Sequence, residues 1–555
     1  MSGNPITSDD LLFRLEQWWR SRSLARSTNR YGPKQHPEFV KAAHYFSDGW
    51  PLNMWQVMRP ENIAPELNTI IEDGFNTIIL VVPWRGFQID QDHPRYDPFY
   101  VKQLRRVLTA ADRQDLSVIV RVAYSHHLLL DNTSNGISMA QRLLLNAETR
   151  QAWRHYLNIL HQICSGYRSF RTGFFCWEEL WHAFGSWQTM DLDARQKLAV
   201  ATGFLDFLAE KGINGITAIP TTREVSHQYF HDFTNAHIRA VFEMGRGEFP
   251  SLSMEFRVDK DLVYDGEECR WLSNDDYSDL PDHRYSYWAP FMGAENVGEE
   301  LNAEEAARSF DYMLQEVTDR GNNIRHVVDQ FNFVDEAPRF KGIHAEIKHD
   351  EIADFLALTA PLLRKSSCGY GVWAYRDYCQ NVLHNPRFLM GLQGWEALRG
   401  KVTPYKNGGI RVGDGALIRQ TLAPVLAGLQ RIVSFDQLTL RVVLKHATDT
   451  ARLAVRINSG KWYATQAEAV GNSLYLDIPV NNQEILDTGL TLDIDNLGST
   501  LSLDCLYLYH YVYRGDIRDE EGVASAHLEA IRAFNALIDV LPGPEGTSEA
   551  TVHGG

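Results

Sequence analysis

The chain has 555 residues, 44% of them hydrophobic, and a formal net charge of −17. That length supports roughly two to four domains with ample core, and the acidic balance disfavours nucleic acid or an anionic membrane as partner. No apolar run approaches the ~18–20 residues of a membrane span. The first residues lack a basic region followed by an apolar stretch, and the six cysteines follow no metal or disulfide spacing. They read as reduced thiols, so the cytosol is the expected compartment, or an extracellular or periplasmic one if the sequence is trimmed.

Residues 8–25 predict an amphipathic helix capped by Ser8, with Leu11, Leu12, Leu15, Trp18 and Trp19 on one face. From residue 50 short apolar runs alternate with amphipathic stretches. Strands are predicted at 52–55, 75–82, 116–123, 173–177, 212–219, 252–258, 324–331 and 369–375, with 259–300 a long loop. The stretch 60–73 opens on Pro60 and closes on Gly74, the usual asymmetry of helix ends. Continuous apolar strands such as 75–82 suit a parallel sheet buried on both faces. Eight strands alternating with helices predict an α/β protein with a (β/α)8 TIM barrel over 49–380, after an N-terminal helical extension over 1–48. An open doubly wound sheet ranks second, because no strand is followed by a Gly-rich phosphate turn.

After Tyr378 the pattern changes to short β-branched and aromatic runs between Gly, Asn and Asp. Residues 381–515 therefore predict an all-β sandwich. Residues 516–555 hold a final helix over 523–540 and a polar, Gly- and Pro-rich tail expected to be disordered.

In such a barrel, chemistry sits at the C-terminal ends of the strands. The predicted ends gather Trp55, Trp84, Arg121, Tyr124, His126, Trp177, Glu178, Glu179, Glu255, Asp329, Gln330, Trp373 and Arg376. Glycosidic cleavage needs two carboxylates flanking the bond, one to donate a proton and one to attack or activate water. Glu178 and Glu179 are neighbours on a strand end and point opposite ways, so one of them needs a partner elsewhere. Glu255 and Asp329 are the candidates, each an acid inside an apolar strand. A buried salt bridge to Arg257 or Arg121 competes as the explanation of Glu255, and a structural hydrogen bond as that of Asp329. The 14 Trp and 23 Tyr fit stacking against the C–H faces of sugars. No metal or cofactor is expected. His126 and His127 diverge, His344 and His349 are five apart, and the acids Asp259, Asp261, Asp265 and Glu267 lack the spacing of a calcium loop.

The run Asp73-Gly74-Phe75-Asn76-Thr77-Ile78-Ile79-Leu80 with Val82-Pro83-Trp84 resembles the second strand of clan A glycoside hydrolases, the cellulase-like barrels. Trp177-Glu178-Glu179 is similar to that clan's fourth strand, where an Asn-Glu pair carries the acid/base; the resemblance implies Glu179 as acid/base, with Glu178 in the Asn place. Gly371-Val372-Trp373-Ala374-Tyr375 looks like the eighth strand, whose Trp floors the sugar site. Asn385-Pro386-Arg387-Phe388 with Gly391, Leu392, Gly394 and Trp395 is similar to the opening of jelly-roll carbohydrate-binding modules. The departures are Ile79 where the clan has Arg, Glu178 where it has Asn, and Gln330 where its strand-seven nucleophile is Glu. Either Asp329 or Glu255 then supplies the second carboxylate, or the hydrolytic mechanism is lost. The expected function is hydrolysis of a polysaccharide or oligosaccharide, with retention as the expected stereochemistry and a link to exopolysaccharide metabolism. The alternative is a non-catalytic saccharide-binding protein on a hydrolase scaffold.

Overall fold

The computed structural model describes residues 34–543 except for several internal stretches, the longest being 124–142, 176–186, 274–282 and 423–436. The predicted helix over 8–25 and most of the predicted disordered tail lie outside the described residues. Among those described, no helix is long and apolar enough to cross a membrane.

Eight parallel strands close into a barrel: β1 (Val40–His44), β2 (Thr77–Pro83), β3 (Ser117–Ala123), β4 (Phe170–Phe175), β5 (Leu252–Phe256), β6 (His283–Trp288), β7 (His326–Phe331) and β8 (Ser367–Val372). Each strand pairs with the next, and β8 pairs with β1. The helices α1 (Pro60–Glu72), α2 (Pro98–Gln114), α3 (Ala147–Cys164), α4 (His227–Glu248), α5 (Ala303–Arg320) and α6 (Ile352–Ser366) lie between strands. Between β5 and β6 stands an antiparallel hairpin, Lys260–Asp265 with Glu268–Ser273.

Three strand assignments change. The first strand is Val40–His44, ahead of the predicted barrel start, whereas Met54–Val57 is a buried helical turn. Lys41 hides this strand in the sequence: its Nζ is held 2.7 Å from Asp539, 498 residues away. Residues 212–219 form no strand, because Gly212 and Gly215 take φ of 71° and 92°, which extended pairing does not allow. The missing strand is His283–Trp288, inside the predicted loop. Its alternation of Tyr285 and Tyr287 with Ser286 and Trp288 is a strand pattern. Glu255 therefore sits on the fifth strand and not on the sixth.

Two five-stranded antiparallel sheets follow, a β-sandwich built around its own apolar core. The last helix, α7 (Leu528–Val540), then returns to the barrel. It packs against α6, and Asn535 Nδ2 donates to the carbonyl of Asp73 at the end of α1 at 2.9 Å. Asn535 also accepts from Tyr370 on β8. The sandwich thus lies between the eighth strand and the helix that completes the barrel wall, and the barrel extends past residue 380.

Inside the barrel the side chains form layers. In a tilted eight-stranded barrel, the residue at equal height lies two places beyond the hydrogen-bonded partner at each two-strand step, giving a shear of eight over four steps. The register carries His44 through Ile79 to Ile119, Arg121 through Phe174 to Ser253, and Glu255 through Tyr285 to Val327. It carries Val328 through Tyr370 to Lys41. Two places on, the first three steps end at Arg121, Glu255 and Asp329; the last pairs Val328 with Ala43, and so Asp329 with His44, and one layer comprises His44, Arg121, Glu255 and Asp329 from the odd strands. The layer beneath, from even strands, comprises Ile79, Phe174, Tyr285 and Gly371. Its three side chains belong to the lumen's apolar cluster, with Ala42, Ile119 and Val327 below.

Candidate active site

The polar layer is the site's foundation. Its floor is apolar: Phe174 and Tyr285 stack with centroids 4.1 Å apart and planes 16° from parallel. His44, Arg121, Glu255 and Asp329 are all buried. Arg121 stands diagonally opposite Asp329, and His44 opposite Glu255. Above them Trp373, beyond the end of β8, lies 5.7 Å from the Arg121 guanidinium and meets the His44 ring edge-on at 4.9 Å.

A bulge in β7 shapes this layer. Val328 and Phe331 both belong to the core outside the lumen. They are an odd number of residues apart, so regular alternation cannot place both there. The register against β6 and β8 shifts in this interval. The extra residue turns both Asp329 and Gln330 inward and leaves the strand's ladder interrupted. The Asp329 carbonyl receives His44 Nε2 at 2.7 Å. Gly371 leaves the space for that carbonyl, since a Cβ there would lie 2.8 Å from the oxygen.

Accepting oxygen at Nε2 assigns the proton to that nitrogen and leaves the lone pair on Nδ1, which is buried without a hydrogen-bond partner. Burial, reinforced by the charge of Arg121, pushes the His44 pKa down to about 3, against the opposing bond to Asp329. The ring is neutral across the physiological range. Among the described residues the layer then sets one guanidinium beside two carboxyl groups.

No protein-family model matches the chain, and no curated protein matches it. Solved structures do. A GH5_18 variant from Streptomyces cattleya in complex with Manβ1-4GlcNAc is similar at 14% identity and a TM-score of 0.41, over 62% of this chain and 72% of that one. GH5_18 from Bifidobacterium longum subsp. infantis is similar at 13% and 0.40, over 61% and 70%. Exo-β-1,4-mannosidase Op5Man5 from Opitutaceae bacterium strain TAV5 is similar at 12% and 0.38, over 63% and 55%. These are glycoside hydrolases, and at this identity the likeness is one of fold.

Of the residues expected at the mouth, the structure brings together Arg121, Glu255, Asp329, Gln330 and Trp373. Tyr124, His126, Trp177, Glu178 and Glu179 lie outside the described residues. Three expectations change. Trp55 is fully buried, its Nε1 donating to the Val81 carbonyl at 3.1 Å and its ring packed on Phe87, so it has no face for a sugar. Trp84 is likewise buried, bonded to Gln88 and packed on Trp153. Both follow from the revised strand order: Trp55 is on a helical turn, and Trp84 begins a helical turn behind β2. Arg376 turns away from the lumen to Glu66 at 3.1 Å and to the Glu520 carbonyl at 2.6 Å.

His44, Tyr285 and Tyr287 are absent from the residues the sequence singled out. The run from Phe39 to His44, interrupted by Lys41, carries a weaker form of the signal at the other strand ends, an ionisable group closing a buried strand. Among the described residues no cluster of three or more His, Cys, Asp or Glu is arranged to hold a metal.

Proposed function

We propose that this chain is a glycoside hydrolase acting on a polysaccharide or oligosaccharide, with Glu255 as one of its two working carboxylates. The observation that supports this reading is the polar layer itself: two carboxylates and a single guanidinium on an apolar floor at the C-terminal end of a closed barrel. A sugar ring entering above them meets Trp373 as a stacking face and Arg121 as a donor. Glu255 ends β5, next to the strand that runs into Glu178 and Glu179. On this reading Glu179 supplies the proton and Glu255 the opposing carboxylate. Asp329, carried on the bulge, stands diagonally across the layer from Arg121. Neutral His44 keeps the bulge fixed without adding charge.

The test is release of reducing ends from β-glucans, mannans and bacterial exopolysaccharides. Turnover abolished by Glu255→Gln and by Glu179→Gln, in proteins that keep the wild-type melting temperature, supports the reading. Full activity of Glu255→Gln removes Glu255 from it. Tight binding of a substrate without turnover by the wild type would establish a saccharide-binding protein instead.

A further inference from the structure

A second polar cavity lies beside the lumen, where the end of β1 and the segments after β1 and β8 meet α1 and the stretch leading to α7. Its volume is about 270 Å³, the size of a small ligand, and its walls include Phe46, Asn62, Glu66, Arg376, Arg518 and Glu521. The cavity adjoins the candidate active site: His44 of the polar layer is part of its wall, and Phe46 packs on Trp373 at 5.4 Å.

The wall is built. The Glu66 carboxylate accepts from Tyr45 Oη at 2.6 Å, Ser47 Oγ at 3.0 Å and Arg376 Nη1 at 3.1 Å. Arg376 is fixed from its other side by the Glu520 carbonyl at 2.6 Å, and its Nε is buried without a hydrogen-bond partner. Arg518 is committed to Asp73, at 2.8 Å. The cavity therefore presents a guanidinium and a carboxylate already paired with each other. That pair donates and accepts side by side without net charge, which suits vicinal hydroxyls better than an anion or a cation. Pro65 and Ile70, also on the wall, give apolar contact.

The rim continues onto the sandwich. Glu521 reaches Arg441 at 3.8 Å. Arg441 lies on the strand Gln437–Leu444, in direct register with Tyr475 on one neighbouring strand and Tyr507 on the other. Its guanidinium lies over both rings, 5.5 Å from one centroid and 5.7 Å from the other. Arg387 donates to the Tyr507 hydroxyl at 2.8 Å, and the Tyr475 ring is half exposed. Tyr507 is itself buried, so of this row Tyr475 is the ring that offers an exposed face.

We propose that this cavity forms an accessory binding site for a neutral saccharide beside the lumen, with Tyr475 of the sandwich extending its rim. It rests on the glycosidase reading for the choice of probe alone, and its readout is binding, so loss of turnover leaves it standing. Titration calorimetry and saturation-transfer NMR with cellobiose and mannobiose on the full-length Glu255→Gln protein should show saturable binding. Asn62→Trp, which fills the cavity from an exposed position, and Glu66→Gln should each weaken it by about tenfold, the loss of one charge-assisted hydrogen bond. Tyr475→Ala should weaken longer oligosaccharides more than disaccharides. Binding that survives Asn62→Trp, binding of neither probe, or preferential binding of citrate or phosphate would overturn the proposal.

Discussion

His44 Nε2 donates to the carbonyl oxygen of Asp329 at 2.7 Å, joining the first strand of the barrel to the bulge of the seventh across β8. The bond satisfies a buried carbonyl, fixes the tautomer of the histidine and holds two members of the polar layer together. His44→Phe keeps the volume and removes the donor. Chemical denaturation should show a loss of about 1–3 kcal/mol, the cost of an unsatisfied buried acceptor. His44→Gln, which retains an N–H, should recover part of it. An unchanged midpoint in His44→Phe would show that the carbonyl finds another donor.

Gly371 is the second support of the same carbonyl. A methyl group there would meet Asp329 O and Ile79 Cδ1, each at 2.8 Å, and one of these is backbone. Gly371→Ala should destabilise the protein by about 1–3 kcal/mol through overpacking, and it should reduce any turnover as the polar layer shifts. Gly247, near the end of α4, has nothing within 4 Å of its added Cβ. Gly247→Ala should leave stability unchanged or raise it by up to about 1 kcal/mol. Equal losses in both variants would show that close approach to the Asp329 carbonyl is not what requires glycine at 371.

Asp73 fastens α7 to the barrel. It lies fully buried at the end of α1, and it accepts from Arg518 at 2.8 Å, Arg532 at 2.9 Å and Tyr375 at 2.6 Å. Burial alone would raise its pKa, but the bonds from Arg518 and Tyr375, with help from Arg532, hold it below the ordinary carboxylate value. Asp73→Asn leaves the Arg518 charge without its partner and should cost about 3–5 kcal/mol. Hydrogen exchange should accelerate first in Leu528–Val540. Protection of that helix equal to wild type would show that apolar packing alone holds it.

Four histidines are held as neutral rings, His44, His231 and His384 buried and His237 half-buried. Desolvation first, then nearby positive charge where present, pushes His44 and His231 down to about 3 and His237 and His384 to about 4. In the unfolded chain each titrates near 6.5, so below that pH the unfolded state binds more protons than the native one. Stability should therefore fall as pH drops through about 6.5 and go on falling to about 4. Asp73 works in a lower window: its contribution is present above its unfolded value near 3.8 and is lost as pH falls below that. Melting temperatures between pH 8 and 4.5 test this, and His231→Phe should flatten the slope. A melting temperature constant over that range would show that these rings ionise in the folded protein.

The sequence by itself determined the fold class and most of the barrel. Apolar strands such as Thr77–Pro83, and residues 117–122 of β3, are buried on both faces, so their burial is written in residues adjacent along the chain. It also marked Arg121, Glu255, Asp329 and Trp373, because an ionisable or bulky group at the end of an apolar run stands out locally. What it did not show depends on partners remote in the chain. Lys41 disguises β1 because its counter-ion is on the last helix. Trp55 and Trp84 look like sugar platforms until the helices cover them. Which face each residue of β7 takes was decided by a bulge, and a one-residue irregularity reverses every face beyond it. The grouping of His44, Arg121, Glu255 and Asp329 into one layer is likewise a property of the barrel's shear, which no single strand contains.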